Sequence, residues 1–128
     1  MESAFIKEKI AAKISQLLDT EIPVNIPDID SIDFSSGRLF YEGISYDKNK
    51  MQKSYNFRLC WYDENRNIPA DKIHIVEEAF RTASPEIFSN GNNKFHVRYY
   101  NLKSANFSRV NTSGILYFCA ELTFSIVF

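Results

Sequence analysis

The stretch LYFCAELTFSIVF, residues 116–128, decides how the rest of this sequence is interpreted. Its apolar side chains recur at every second position, which places them on one face of a β-strand. These side chains are Leu116, Phe118, Ala120, Leu122, Phe124, Ile126 and Phe128. The stretch ends in SIVF without a charged side chain. We therefore expect a central or well-covered strand, with a subunit contact as the alternative.

The segments before this strand show helical and extended patterns in turn. Residues 3–18 carry an apolar stripe at the helical period, and a second stripe follows the helix start at Asn67-Ile-Pro69. Residues 38–45, 53–62 and 95–102 are predicted strands, the second because its aromatic and polar residues alternate. Residues 46–52 and 104–114 are polar, and we expect both to be hairpin connections.

The resulting element order is α-β-β-α-β-β. Two helices with one apolar stripe each can cover one face of a four-stranded, mostly antiparallel sheet. No linker divides the chain, so residues 1–128 are predicted to form a single α+β domain. Topology is left open, since pattern alone does not order the strands.

Composition narrows the class of protein. Apolar residues make up 45% and charged residues 24%, which is typical of a globular domain rather than a disordered chain. The net charge of -1 gives no global reason to expect nucleic acid or an anionic membrane as a partner. Two cysteines, Cys60 and Cys119, are too few for a disulfide framework, and no apolar stretch is long enough to span a bilayer.

Motifs for catalysis or cofactor binding are not found. The acidic run 28–33 lacks the ligand positions of a calcium loop, and neither His74 nor His96 belongs to a zinc pattern. There is no GxSxG elbow and no glycine-rich phosphate loop. We therefore expect neither an enzyme nor a cofactor, although distant residues can still assemble a site in space.

Two features suggest contacts with partners. The predicted hairpin connections are basic, with Lys48, Lys50 and Lys53 in or beside the first, and Lys103 and Arg109 beside or within the second. Such loops are usually only solvated, but they can also face an acidic surface or nucleic acid.

The second feature is the sheet face predicted to point away from the helices. Its tyrosine and arginine content is typical of an interface, and a partner subunit could cover it. The interface candidates are Arg58, Tyr62, Arg98, Tyr100 and Tyr117, next to Cys60, His96, Cys119 and Glu121.

The layout resembles tail-terminator and minor capsid proteins of long-tailed bacteriophages. The resemblance is carried by the helix at residues 5–18, the strand at 55–62, the helix at 70–83 and the ending SRVNTSGILYFCAELTF at 108–124. It covers nearly the whole chain as element order and pattern, without a short diagnostic motif.

The resemblance implies a structural protein of the virion, assembled in the host cytoplasm. It would form a hexameric ring that caps the tail tube and joins it to the head connector, with DNA passing through and no membrane involved. The basic connections would lie at the lumen or against a neighbouring ring. Two alternatives stay open: a small nucleic-acid-binding domain that uses the same basic loops, and a small ligand-binding or enzymatic domain.

Overall fold

Two helices and six strands make up the part of the chain that the computed structural model describes, residues 2–24, 35–49, 51–112 and 114–128. In chain order they are α1 (Glu2–Leu18), β1 (Ser35–Asp47), β2 (Gln52–Asp63), α2 (Asn67–Arg81), β3 (Glu86–Asn90), β4 (Asn93–Val97), β5 (Tyr99–Thr112) and β6 (Ile115–Val127). The predicted α+β class and the two helices are confirmed.

Four strands form one antiparallel sheet in the order β1-β2-β6-β5. The strand β6 lies in its interior, as the alternating sequence 116–128 predicts. Leu59 of β2 pairs with Leu122 of β6, and Phe57 pairs with Phe124, so the large apolar side chains of both strands share one face.

Both helices contribute their apolar stripes to the core on that face. Ile6, Ile10 and Ile14 of α1 are fully buried, and α2 adds Ile73, Val76 and Phe80. These side chains belong to one continuous cluster with the inward residues of β2 and β6. Burying one such side chain stabilises the fold by about 1.5–3 kcal/mol, which explains why the helical stripes locate the core.

Aromatic rings connect α2 to the sheet. The ring of Phe80 stacks on Tyr100 of β5, with centroids 4.4 Å apart, and lies 5.0 Å from Phe124 of β6. Phe124 in turn stacks on Phe57 at 5.6 Å. This continuous chain of rings makes the position of α2 on the sheet specific, because stacked rings prefer defined geometries.

The predicted strand 95–102 is wrong as a single element. The chain leaves one sheet and enters another at Arg98, whose N–H donates to the carbonyl of Val127 at 2.8 Å. Residues before Arg98 form β4, which pairs with β3 in a separate two-stranded sheet. The short strand β3 was not predicted, because its five residues are too few to show a period.

The predicted hairpin connection at 104–114 is also wrong. Residues up to Thr112 continue β5, which pairs with β6 as far as Ile115. The two strands therefore form a long hairpin that extends beyond the end of β2, since β2 ends opposite Phe118. Leu116 lies on this extension and is 44% exposed, so its predicted place in the core is wrong.

Each edge strand of the sheet contains one β-bulge. The register shifts between Tyr41 and Gly43 in β1 and between Leu102 and Ser104 in β5, so Glu42 and Lys103 are the extra residues. Gly43 has a φ of 106°, a conformation that side chains disfavour, and it makes the first bulge possible. Both bulges carry a charged side chain.

The acidic run 28–33, which sequence analysis assigned no calcium loop, lies outside the described residues. Among the helices that the structure describes, none is long and apolar enough to cross a membrane.

Candidate functional site

The sheet face that points away from the helices, called the outer face below, carries three bands of side chains across the strands. One band centres on Arg58, the second on Asn56, and the third contains tyrosines and cysteines. Strand alternation places all of them opposite the core residues of β2 and β6.

Arg58 on β2 connects three neighbouring strands. Its Nε donates to Glu42 Oε1 of β1 at 2.8 Å, and its Nη1 donates to Glu121 Oε1 of β6 at 3.1 Å. Its guanidinium also lies 4.4 Å from the ring centre of Phe40. The hydrogen bond with Glu42 raises the pKa of Arg58 above its ordinary value, with burial acting in the opposite direction. The predicted interface residue Arg58 is thus on the expected face, engaged within its own chain.

Asn56 connects all four strands of the sheet. Its amide nitrogen donates to Ser45 Oγ and to the Gly43 carbonyl on β1, at 2.9 and 3.2 Å. Its carbonyl oxygen accepts from Ser125 Oγ of β6 at 2.6 Å and from Lys103 Nζ of β5 at 3.1 Å. Lys103 therefore does not lie on a hairpin tip as predicted, because the bulge in β5 turns its ammonium toward Asn56.

The third band is a buried cluster of Cys60, Tyr62, Tyr117 and Cys119, flanked by Phe40 and Val110. Both cysteines are free. A hydrogen bond between the two thiols, together with burial, raises the pKa of Cys60. Burial likewise raises the pKa of the Tyr62 hydroxyl. The predicted interface residues Tyr62 and Tyr117 thus lie on the outer face but are only 6% and 5% exposed.

Tyr100 and Arg98 are not part of the outer-face cluster, contrary to prediction. Tyr100 is 7% exposed and lies on the opposite, helix-covered face, where its hydroxyl donates to Glu86 Oε1. Arg98 is exposed and lines a depression beside β3 and β4 together with Ile87 and His96. The break between β4 and β5 accounts for both, because strand alternation predicted across 95–102 does not continue through it.

The carboxylate of Glu86 on β3 contacts side chains of both α1 and β5. It accepts a hydrogen bond from Tyr100 on β5 and forms an ion pair of 2.7 Å with Lys13 Nζ on α1. Burial would raise the pKa of Glu86, but the hydrogen bonds from Lys13 and Tyr100 outweigh it, and the pKa is lowered. The carboxylate thereby attaches the small β3–β4 sheet to the main body.

The β1–β2 hairpin tip carries exposed apolar side chains beside its lysines. Lys48 is exposed in the turn, and Lys53 lies 5.3 Å from the ring centre of Tyr55. Lys50 lies outside the described residues. Tyr46 is 67% exposed and Met51 is 86% exposed, so this tip presents apolar surface as well as charge.

The β5–β6 hairpin tip lies at the opposite end of the sheet. Val127 pairs with Ser54 near the first tip, whereas Phe118 pairs with Asp63 near the second. The predicted basic residue Arg109 belongs to the body of β5 and lies 5.9 Å from the ring centre of Phe118. The residues next to this tip are instead the half-exposed Ile115 and Leu116.

A groove of about 430 Å³ lies between the start of α2 and the extended β5–β6 hairpin. Its lining includes two arginines and two aromatic rings, and the residues are Arg66, Pro69, Ala70, Phe107, Arg109 and Phe118. Sequence analysis identified Arg109 but missed Arg66, which precedes α2 directly. The sequence shows Arg66 as a basic residue next to a predicted helix start. Only the fold shows that Arg66 lies close to β5.

Metal ligands are not grouped in the described ranges, where no three His, Cys, Asp or Glu residues come together in a way that could hold an ion. The expectation that the protein is not an enzyme stays a prediction.

No family model matches the chain, and no curated protein matches it significantly in sequence.

Proposed function

We propose that this protein is a non-enzymatic assembly subunit that closes into a ring, in the manner of the phage tail terminators it resembles. The observation that carries the proposal is the geometry of the sheet edges. In the part of the chain that the structure describes, no strand pairs with the outer side of β5 along Tyr99–Thr112. Among the described residues, one isolated bridge lies on the outer side of β1, where Val24 meets Leu39, and the strand continues past it to Asp47.

The directions of the two edge strands suit head-to-tail pairing. Each neighbouring pair in the order β1-β2-β6-β5 is antiparallel, so β1 and β5 run in opposite directions. If β1 of a second copy lies beside β5, a rotation about an axis roughly along the strands keeps the pairing antiparallel. Repeated rotation of this kind produces a heterologous contact that closes into a ring.

The chemistry of the two hairpin tips is evidence for a ring that contacts a different partner on each side. In such a ring the β1–β2 tip would point toward one side and the β5–β6 tip toward the other. The first tip offers lysines with Tyr46 and Met51, and the second offers Ile115 and Leu116. The two sides would therefore differ chemically, as is needed for one to contact a tail tube and the other a head connector.

The resemblance to phage tail terminators supplies the finer details of the proposed function. They are six copies per ring, a place in the virion after assembly in the host cytoplasm, and DNA as passing cargo without a membrane.

The solution mass of the purified protein tests the proposal. Light scattering after size exclusion, across a range of protein concentration and salt, should find a hexamer or a monomer that converts to rings as concentration rises. A strict monomer under every condition, also when tail tubes from the same source are added, would contradict it.

Proline substitutions test the edge-pairing geometry. Of two neighbouring residues on an edge strand, one N–H points to the partner strand and the other points outward. Ala105→Pro and Asn106→Pro therefore form a matched pair, since proline removes one N–H in each. We expect one variant to unfold at a lower temperature, and the other to keep the monomer stable but lose the ring. Rings from the stable variant would show that another surface closes the assembly.

A further inference from the structure

The geometry points to a second site, a groove for single-stranded nucleic acid between the start of α2 and the β5–β6 hairpin. This inference goes beyond the proposed ring function, which depends on the sheet edges and tips. It assigns the phosphates of the ligand to Arg66 and Arg109 and a base to the ring of Phe107.

Phe107 is exposed although it lies on the sheet face that carries the core. It pairs with Ala120 of β6, which is fully buried on the helix-covered face. The ring of Phe107 is nevertheless 67% exposed, and it lies beside the start of α2. An aromatic ring presented in this way beside a concavity offers a platform on which a base can stack.

Two guanidinium groups line the same groove. Arg66 immediately precedes α2, and Arg109 lies two residues after Phe107 on β5, so this site is at the end of the sheet opposite to the β1–β2 tip. Within the described ranges, neither arginine forms an ion pair. Of the residues that the structure describes, none that lines the groove carries a carboxylate, and the first turn of α2 has no acidic residue.

The combination favours nucleic acid over an acidic peptide. Guanidinium groups bind carboxylate and phosphate alike, so charge alone does not distinguish these ligands. The exposed ring supplies the difference, because stacking of bases on aromatic side chains is the sequence-tolerant contact of single-strand binders. A volume of about 430 Å³ suits one nucleotide, within the range of roughly 300–1,000 Å³ that is usual for ligand pockets.

Fluorescence anisotropy of a labelled oligothymidine tests the site on the full chain. With two phosphates bound, the affinity should fall with salt with a logarithmic slope of about -1.4, measured between about 50 and about 200 mM. Arg66→Ala combined with Arg109→Ala should remove the salt-dependent binding. Arg98→Ala is the matched control, because Arg98 is an exposed arginine outside the groove, and it should bind as the parent chain does.

Substitution of the ring separates stacking from charge. Phe107→Leu keeps apolar bulk without the aromatic face and should weaken binding on the order of tenfold. Phe107→Trp should keep binding, and its emission should be quenched when the oligonucleotide is added. Trp61 is 3% exposed and should not respond. An unchanged affinity of Phe107→Leu would overturn the stacking assignment.

Competitors distinguish the sources of the ligand. If thymidine monophosphate displaces the labelled oligothymidine as the unlabelled oligonucleotide does, the site recognises a phosphate and a base. A free nucleotide would then be sufficient for binding. Equal displacement by polyglutamate would overturn the proposal in favour of a nonspecific anion surface. Absence of oligonucleotide binding at the lower salt concentration would also overturn the proposal. If such a chain still forms rings, the proposed assembly function stands without the nucleic-acid site.

Discussion

Gly37 shows how a single residue adapts the sheet to its core. A Cβ built on Gly37 would lie 2.6 Å from the ring of Trp61, with which it pairs across β1 and β2, and 3.0 Å from Ile22. Contacts below 3.0 Å require a neighbour to move, and a buried indole has little freedom to do so.

We therefore expect Gly37→Ala to lower the free energy of unfolding by about 1–3 kcal/mol, as overpacking does. Chemical denaturation measures this value. Trp61→Leu in the same chain should restore part of the loss, because the smaller side chain makes room for the methyl group. An additive effect of the two substitutions would show that the ring of Trp61 is not the obstacle.

Glu86 should make stability depend on pH. Its pKa in the folded protein lies below the ordinary value of 4.5, so the folded state favours the charged carboxylate. Its contribution is present above pH 4.5 and should be lost as the pH falls through the lower, folded-state pKa. Unfolding followed by circular dichroism across that range measures the effect.

The matched variant Glu86→Gln should lose this part of the pH dependence, while its stability at acidic pH stays close to that of the parent chain. The side chain of Glu86 is 32% exposed, so solvent screening keeps the effect small. An unchanged acid profile in Glu86→Gln would assign the titration to another carboxylate.

At the scale of elements, cross-strand polar contacts stabilise the part of the outer face around Arg58 and Asn56, whereas its third band is a buried cluster of cysteines and tyrosines. The two bulges direct Glu42 and Lys103 onto Arg58 and Asn56, and both of these residues are on β2. The edge strands are therefore tied to the centre of the sheet by charged or amide groups, which also keep this face soluble.

Substitution of Asn56 tests this arrangement. Asn56→Ala should lower the free energy of unfolding by about 1–3 kcal/mol, because Ser125 Oγ loses its acceptor and is only 1% exposed. Denaturant titration provides the measurement. Adding Ser125→Ala should recover part of the loss, since no buried hydroxyl is then left without a partner. A neutral Asn56→Ala would show that water replaces the amide.

At the scale of the whole molecule, the proposed ring predicts a role for the β1–β2 tip. Replacing Lys48, Lys50 and Lys53 together with Gln should leave the melting temperature nearly unchanged, because Lys48 is exposed and Lys53 is at the start of β2. It should block the joining of tails to heads, since the tip would lose its charge toward the neighbouring ring.

Complementation of particle assembly measures that prediction, with electron microscopy of the accumulated parts. The control is Lys94→Gln, which removes a charge from β4, outside both hairpin tips. Normal infectious particles from the triple variant would contradict the role assigned to the tip.

The sequence by itself determined the two helices, the central strand β6 and the α+β class, because these depend on periodic burial. The stripe of Ile6, Ile10 and Ile14 and the alternation ending in Phe124 and Ile126 mark buried faces directly. Among the candidate site residues, Arg58, Tyr62 and Tyr117 were placed on the correct face for the same reason.

Only the tertiary structure decided the extent of β5, the split at Arg98 and the places of Lys103 and Tyr100. The polar segment 104–112 is a strand because its backbone pairs with β6. Where the side chains of a strand face water, the sequence need not alternate between apolar and polar residues, so the strand is not predicted. The groove likewise exists because packing brings Arg109 of β5 near Arg66 at the start of α2. Contacts between residues so distant in sequence follow from packing, which no local pattern records.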